Sequence, residues 1–152
     1  MELQRVTEQN WKALIKLRVA DEQTHFVASN LYSIAEAQFG FEEEGRWELY
    51  PFGAYVKDQP VGFVMYAHNF DHSRFQAFIV RLMVDQQFQR QGYGREIMQL
   101  ILKDFRENEK VKNVGISYEP ENDVARRLYA SLGFVEPGEM LDGETLAVLK
   151  LR

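Results

Sequence analysis

Two kinds of hydrophobic spacing divide this 152-residue chain. Leu3–Val6 reads as a short opening strand, and Thr7 as the N-cap of a helix carrying Trp11, Leu14 and Ile15 on one face. Val19 to Phe41 shows no alternation and suggests one or two short helices, with Ser29-Asn30 as a break or cap; Glu42-Glu43-Glu44-Gly45 then interrupts the pattern. Pro51–Lys57 and Val61–Tyr66 are rich in aromatic and β-branched residues, and the turn Asp58-Gln59-Pro60 between them predicts a hairpin. Phe75 to Val84 is the next strand. Arg95 to Phe105 places Ile97, Leu100, Ile101 and Phe105 at helical spacing. Val114–Tyr118 follows as a strand, parallel to the previous one if the intervening helix is a right-handed crossover. Asn122 heads a helix with Val124, Ala125, Leu128 and Leu132 inward and Gly133 at its end. Phe134-Val135 opens another strand, and Asp142-Gly143 between Met140-Leu141 and Thr145–Leu149 is a two-residue hairpin signal.

Composition narrows this picture. With 45% apolar and 27% charged residues the chain reads as one soluble domain spanning 1–152. A net charge of −5 argues against a general nucleic-acid binder and mildly favours cationic ligands. No apolar run approaches membrane-spanning length, and MELQRVTEQN lacks the apolar core of a signal peptide, so a cytoplasmic protein is expected. The absence of cysteine removes disulfides, thiolate metal sites and an acyl-cysteine intermediate. His68 and His72 lie four apart on a strand end and a loop without a further clustered ligand, so no metal is expected; His25 stands alone.

The chemistry concentrates between Val80 and Gly94. A strand there feeds a glycine turn, Gln89-Arg90-Gln91-Gly92-Tyr93-Gly94, and then a helix. Such a turn leaves main-chain N–H groups free at the positive end of a helix dipole, where phosphate binds. Gly92 and Gly94 carry no Cβ to hold a pyrophosphate away, and Arg90 and Arg95 add positive charge. The dinucleotide fingerprint would need a third glycine where Ile97 stands, and the G-K-S/T of a Walker loop is missing.

The remaining pattern, Q-x-x-G-x-G after a strand, resembles the acetyl-CoA loop of the GCN5-related N-acetyltransferases (GNAT). Asn122-Asp123-Val124-Ala125-Arg126-Arg127-Leu128-Tyr129-Ala130-Ser131-Leu132-Gly133-Phe134 is similar to the family's N-x-x-A-x-x-L-Y-x-x-x-G-F signature at every named position. The resemblance implies an α/β fold: a mixed sheet flanked by helices and splayed between its fourth and fifth strands, with acetyl-CoA as co-substrate in the cleft. It further implies that the main chain of Leu82, Met83 and Val84 docks the pantetheine arm. Gln89 to Gly94, with Arg95, would hold the pyrophosphate; Asn122 would contact the CoA arm and Tyr129 would donate a proton to sulfur. HFVASNLYSIAEAQF, PVGFVMYA, RLMVD and SYEPEN are similar to the bacterial spermine/spermidine acetyltransferase branch.

The acceptor half is open. The acidic, aromatic-studded stretch through Glu48 is either a solvated face or a pocket for a polycation. Where some family members carry a carboxylate before the glycine loop, this chain has Val80 and Arg81, and Asp85 comes after the docking residues. Glu22, Glu36 and Glu119 are candidates for acceptor binding and for proton removal through water. Three functions stand: acetyl transfer to a small amine, foremost a polyamine, by direct attack in a ternary complex; transfer to a protein N-terminus, amino acid or amino-antibiotic; and a non-catalytic acyl-CoA-binding domain. A homodimer is a family-level expectation.

Overall fold

The longest pairing in the protein is the antiparallel hairpin of β3 (Arg46–Val56) and β4 (Gln59–His68). The computed structural model describes residues 1–152. Lys57 and Asp58 both take positive φ, +49° and +67°, which makes this a two-residue turn of the twist that hairpins favour. The turn therefore sits earlier than Asp58-Gln59-Pro60. Pro60 lies inside β4, opposite Tyr55, where the register slips between Ala54 and Tyr55. β3 also starts earlier than Pro51, because Trp47 and Leu49 are buried and alternate with exposed Arg46 and Glu48. Its first residues pair with the short strand β2 (Phe41–Glu42), inside a stretch where no strand was expected.

One eight-stranded sheet runs β1-β3-β4-β5-β6-β8-β7, with β2 attached to β3. The other strands are β1 (Glu2–Arg5), β5 (Ala77–Val84), β6 (Asn113–Tyr118), β7 (Met140–Leu141) and β8 (Glu144–Lys150). All pairings are antiparallel except β5 with β6. The β7–β8 turn is Asp142-Gly143, both at positive φ. Phe134-Val135 starts no strand; Val135 makes a single bridge to Val148, and the chain stays irregular to Met140.

Helices cover both faces. α3 (Tyr93–Glu107) buries Ile97, Met98, Ile101, Leu102 and Phe105 against Val64, Ile79 and Ile116. Each such side chain contributes roughly 1.5–3 kcal/mol on burial. α4 (Asp123–Ser131) adds Tyr129 to the same core. On the other face Trp47, Leu49, Phe63, Met65 and Met83 pack with Ile34 and Ala37 of α2 (Asn30–Ala37). α1 is one turn, Trp11–Leu14, with Asn10 and not Thr7 at its N-cap position; the Asn10 side chain makes no cap bond but accepts from the Thr7 N–H, and Thr7 Oγ1 accepts from the Gln9 N–H.

The sheet opens between β5 and β6. These strands pair only at Ala77↔Val114, Phe78↔Gly115 and Ile79↔Ile116. Beyond Ile79, β5 stays with β4 as far as Val84↔Gly62, and β6 stays with β8 as far as Tyr118↔Thr145. Val80 is an extra residue on β5 at the irregularity between Met65 and Tyr66, so β5 bulges where the strands part. This is the expected splay, displaced by one in strand number because β2 was not foreseen.

Candidate active site

The opening between β5 and β6 is a cleft of about 990 Å³, within the range of small-molecule sites. One wall is Ile79–Val84 of β5. The floor is the turn into α3, from Phe88 to Arg95. The other wall is Ile116–Tyr118 of β6 with the head of α4, and the segment Gln23–Ala28 closes one side.

The turn into α3 has the donor arrangement that an anion requires. Gly92 is the N-cap, at φ +83°, and the first main-chain bond of the helix is donated by Glu96 to Gly92. The N–H groups of Gly92, Tyr93, Gly94 and Arg95 donate to no group of the chain. All four residues line the cleft, as does Arg90, while Gln91 does not. A Cβ on Gly92 would meet nothing within 4 Å, so its glycine is required by φ and not by protein packing. A Cβ on Gly94 would make ordinary contacts, 3.6 Å from Leu128 Cδ2 and 3.9 Å from Val84 Cγ2, inside the cleft.

Gln89 has a different part from its neighbours. Its Nε2 donates to the Val84 carbonyl at 3.0 Å and to Gln23 Oε1 at 2.9 Å. The side chain thus ties the turn to the end of β5 and to the segment before α2. Asp85, buried, accepts from the main-chain N–H of Gln87 and of Arg18, which fixes the exit of β5, and it does not line the cleft. Beyond Ile79 the main chain of Leu82, Met83 and Val84 has no β6 strand beside it and forms an open edge in the cleft.

On the opposite wall, Asn122 caps α4 by accepting from the Ala125 N–H through Oδ1 at 3.2 Å, and it lines the cleft too. Tyr129 is buried, with 7% of its surface exposed, and its hydroxyl makes no hydrogen bond within the chain. Burial, then the charges of Tyr118 and Glu144, push its ionisation well above the usual phenol range, so it stays a neutral O–H donor. Its neighbour Tyr118 donates its hydroxyl to Glu136, which also accepts from Arg126.

The three acceptor-side glutamates separate. Glu36 faces Arg81, with Oε1 accepting from the guanidinium at 3.4 Å, but none of Glu22, Glu36 and Glu119 lies among the cleft residues. The carboxylates in the cleft are instead Glu121, Asp123 and Glu144. The acidic run is a brace, not a wall of the cleft. His72 Nδ1 accepts from the N–H groups of Arg74 and Phe75, which leaves the proton on Nε2, and this donates to Glu43 at 2.9 Å. Glu44 accepts from Ser73, and the contact holds its carboxyl below the usual range. Arg81 and Glu144 also line the cleft, though neither carries a local sequence signal for it. Arg81 stood in the expected strand without an assigned role, and Glu144 sat next to the hairpin turn with no local motif to mark it.

Comparison with known proteins agrees with this geometry. The family model described as "Acetyltransferase (GNAT) family" matches residues 11–134. A spermine/spermidine N(1)-acetyltransferase of Bacillus subtilis (strain 168) is 27% identical, over 96% of this chain and 95% of that protein. Among solved structures, the ribosomal-protein-S18-alanine N-acetyltransferase from Escherichia coli superposes with a TM-score of 0.70 at 18% identity, covering 99% of this chain and 93% of that one. The PaiA N-acetyltransferase from Thermoplasma acidophilum, in complex with coenzyme A, gives 0.69 at 14% identity, covering 98% of each chain.

Proposed function

The chain belongs to the acetyltransferase (GNAT) family, and from that premise we propose that it moves the acetyl group of acetyl-CoA to a primary amine of a polyamine, foremost spermidine or spermine. The observation that carries acetyl transfer is the row of free N–H groups from Gly92 to Arg95, set in one cleft with the open edge of β5 and the unbonded hydroxyl of Tyr129. The polyamine acceptor is supported by the likeness to a spermine/spermidine enzyme and by three carboxylates in the cleft.

In this reading the α3 amides, with Arg90 and Arg95, hold the pyrophosphate of acetyl-CoA. The pantetheine arm lies along Leu82–Val84 as an added strand would, and Asn122 contacts it from the far wall. A main-chain N–H of that edge polarises the thioester carbonyl. The amine attacks directly in a ternary complex, since the chain has no cysteine to carry the acetyl group. Tyr129 gives its hydrogen bond to sulfur as charge develops there. Tyr118 is unsuited to that part because its hydroxyl is held by Glu136.

A second reading has one observation behind it. Arg81 lines the cleft, donates to the Val80 carbonyl at 2.9 Å and to Glu36 at 3.4 Å, and keeps a buried Nε without a partner. A guanidinium with spare donors suits an acceptor that carries a carboxylate near its amine, as amino acids do. A panel of spermidine, spermine, monoamines, amino acids and a short peptide, read by the thiol of released CoA, decides between them. Spermidine and spermine are expected to react fastest. Faster reaction of an amino acid or the peptide would overturn the polyamine reading, and no CoA release above hydrolysis with any amine would overturn acetyl transfer.

A further inference from the structure

Three carboxylates line the cleft, and only Asp123 is paired with a fixed cation. Asp123 accepts from Arg126 at 2.9 Å. Glu121 is 3.7 Å from His25 across the cleft, and both are more than half exposed. Glu144 stands differently. It opens β8, beside the end of β6, at the place where β6 has left β5. One oxygen, Oε1, accepts from the Ser117 hydroxyl at 3.0 Å, and the carboxylate has no cationic partner. Ser117, Glu144 and Tyr129 all line the opening, from β6, β8 and α4, and Tyr129 feels the charge of Glu144.

From this placement we infer that Glu144 is the group that takes the proton from the incoming amine, with Ser117 fixing its orientation. The inference rests on the acetyl-transfer reading but not on which amine is the acceptor. An alkyl ammonium has a pKa near 10.4, so at neutral pH it needs a proton acceptor before it can attack. A carboxylate without a cationic partner both draws the ammonium in and accepts its proton. The step balances. The ammonium gives one proton to Glu144, which passes it to water. The C–N bond then forms as the C–S bond breaks. The nitrogen loses its second proton to the same carboxylate, and sulfur takes a proton from Tyr129, which is refilled in turn. One proton is released for each acetyl group moved.

The other charged and titratable groups that line the cleft with Glu144 are Tyr118 on β6, Tyr129 on α4, Glu121 and Asp123 before and at the head of α4, Arg81, Arg90, Tyr93 and Arg95 on β5 and the turn into α3, and His25; Asp142, exposed in the β7–β8 turn, precedes Glu144 by two residues. Tyr118 is pushed up to about 12, chiefly by burial and its bond to Glu136, and so does not titrate near neutrality.

The test is Glu144→Gln, which keeps the shape and an acceptor for the Ser117 hydroxyl. It is assayed with the best amine of the panel across pH 6.5 to 10. At pH 7, kcat/KM is expected to fall about 100-fold, the low end for loss of a general base, with the KM for acetyl-CoA unchanged. The deficit is expected to shrink as pH rises towards the pKa of the amine, because water then supplies the neutral form. Glu144→Asp should recover part of the rate. A purely structural role would give a deficit that is the same at every pH, and that result, or an unchanged rate at pH 7, would overturn the inference. Wild-type activity in the same assay separates the two levels. A silent wild type removes acetyl transfer and this role together, whereas an active wild type with an equally active Glu144→Gln removes this role alone.

Discussion

The rings of Tyr118 and Tyr129 lie 5.4 Å apart at the point where β5 and β6 diverge, yet only Tyr129 keeps its hydroxyl free of the protein. Two phenols of similar burial thus have different chemistry available to them. Tyr129→Phe should lower kcat by about 10–100-fold while leaving acetyl-CoA affinity within about twofold, since the lost group acts on sulfur as it leaves. Tyr118→Phe should keep kcat and lose about 1 kcal/mol of stability with the bond to Glu136. Steady-state kinetics and thermal unfolding of both variants check the contrast. Loss of turnover in Tyr118→Phe instead of Tyr129→Phe would exchange their parts.

Gly94 allows stability and binding to be moved in opposite directions. It is the second residue of α3, and an added Cβ would meet only ordinary contacts with Leu128 and Val84. Gly94→Ala should therefore stabilise the fold by about 0.5–1 kcal/mol through helix propensity. The same methyl group projects into the cleft and should weaken acetyl-CoA binding about tenfold. Thermal unfolding and calorimetric titration read the two effects separately.

Arg81 gives a prediction whose sign separates the two acceptor classes. If a polycation enters beside it, Arg81→Met removes a repulsion, leaves Glu36 unpaired and lowers the KM for spermidine by about three- to tenfold. For an acceptor carrying a carboxylate, the same substitution raises KM by a similar factor. Initial rates with spermidine and with the best amino acid of the panel show which sign holds.

His68 makes the fold sensitive to acid. It is packed among Tyr50, Tyr66, Phe70 and Phe105, and burial lowers its pKa below the usual imidazole value of 6.5. The unfolded chain therefore binds the proton more readily than the folded one. The contribution of His68 to stability is complete above pH 6.5 and is lost as pH falls through the lower, folded value. Urea unfolding at pH 7.5 and pH 5 should show the lower midpoint at pH 5. His68→Phe should flatten that dependence, and an undiminished slope would place it elsewhere.

Much of the site could be read because its signals are local. A strand, a Q-x-x-G-x-G turn and a helix lie within 31 residues, Ala77 to Glu107, and both the Gly92 N-cap and the Asn122 cap follow from short-range chemistry. The start of β3 was legible in principle, since Trp47 and Leu49 alternate with Arg46 and Glu48, but the preceding acids masked the strand. The Lys57-Asp58 turn was not, because two residues without glycine rarely take positive φ together. What pairing across the sheet decides was invisible. Glu144 meets Ser117 only because β8 lies against β6, 27 residues away in sequence, and Glu36 meets Arg81 only because α2 packs across β5. The acceptor-side candidates Glu22, Glu36 and Glu119 all fall outside the cleft, since no local motif marks which carboxylates the fold brings there.

The central claim is that four main-chain donors at the head of α3 grip the pyrophosphate of the acetyl donor. Amide resonances of the protein, followed by nitrogen–proton NMR while acetyl-CoA is added, test it most directly. The N–H signals of Gly92, Tyr93, Gly94 and Arg95 should move together, saturate at one equivalent, and stay in place when S-acetylpantetheine, which lacks the pyrophosphate, is added instead. Saturable binding of acetyl-CoA with those four signals unmoved would contradict the account.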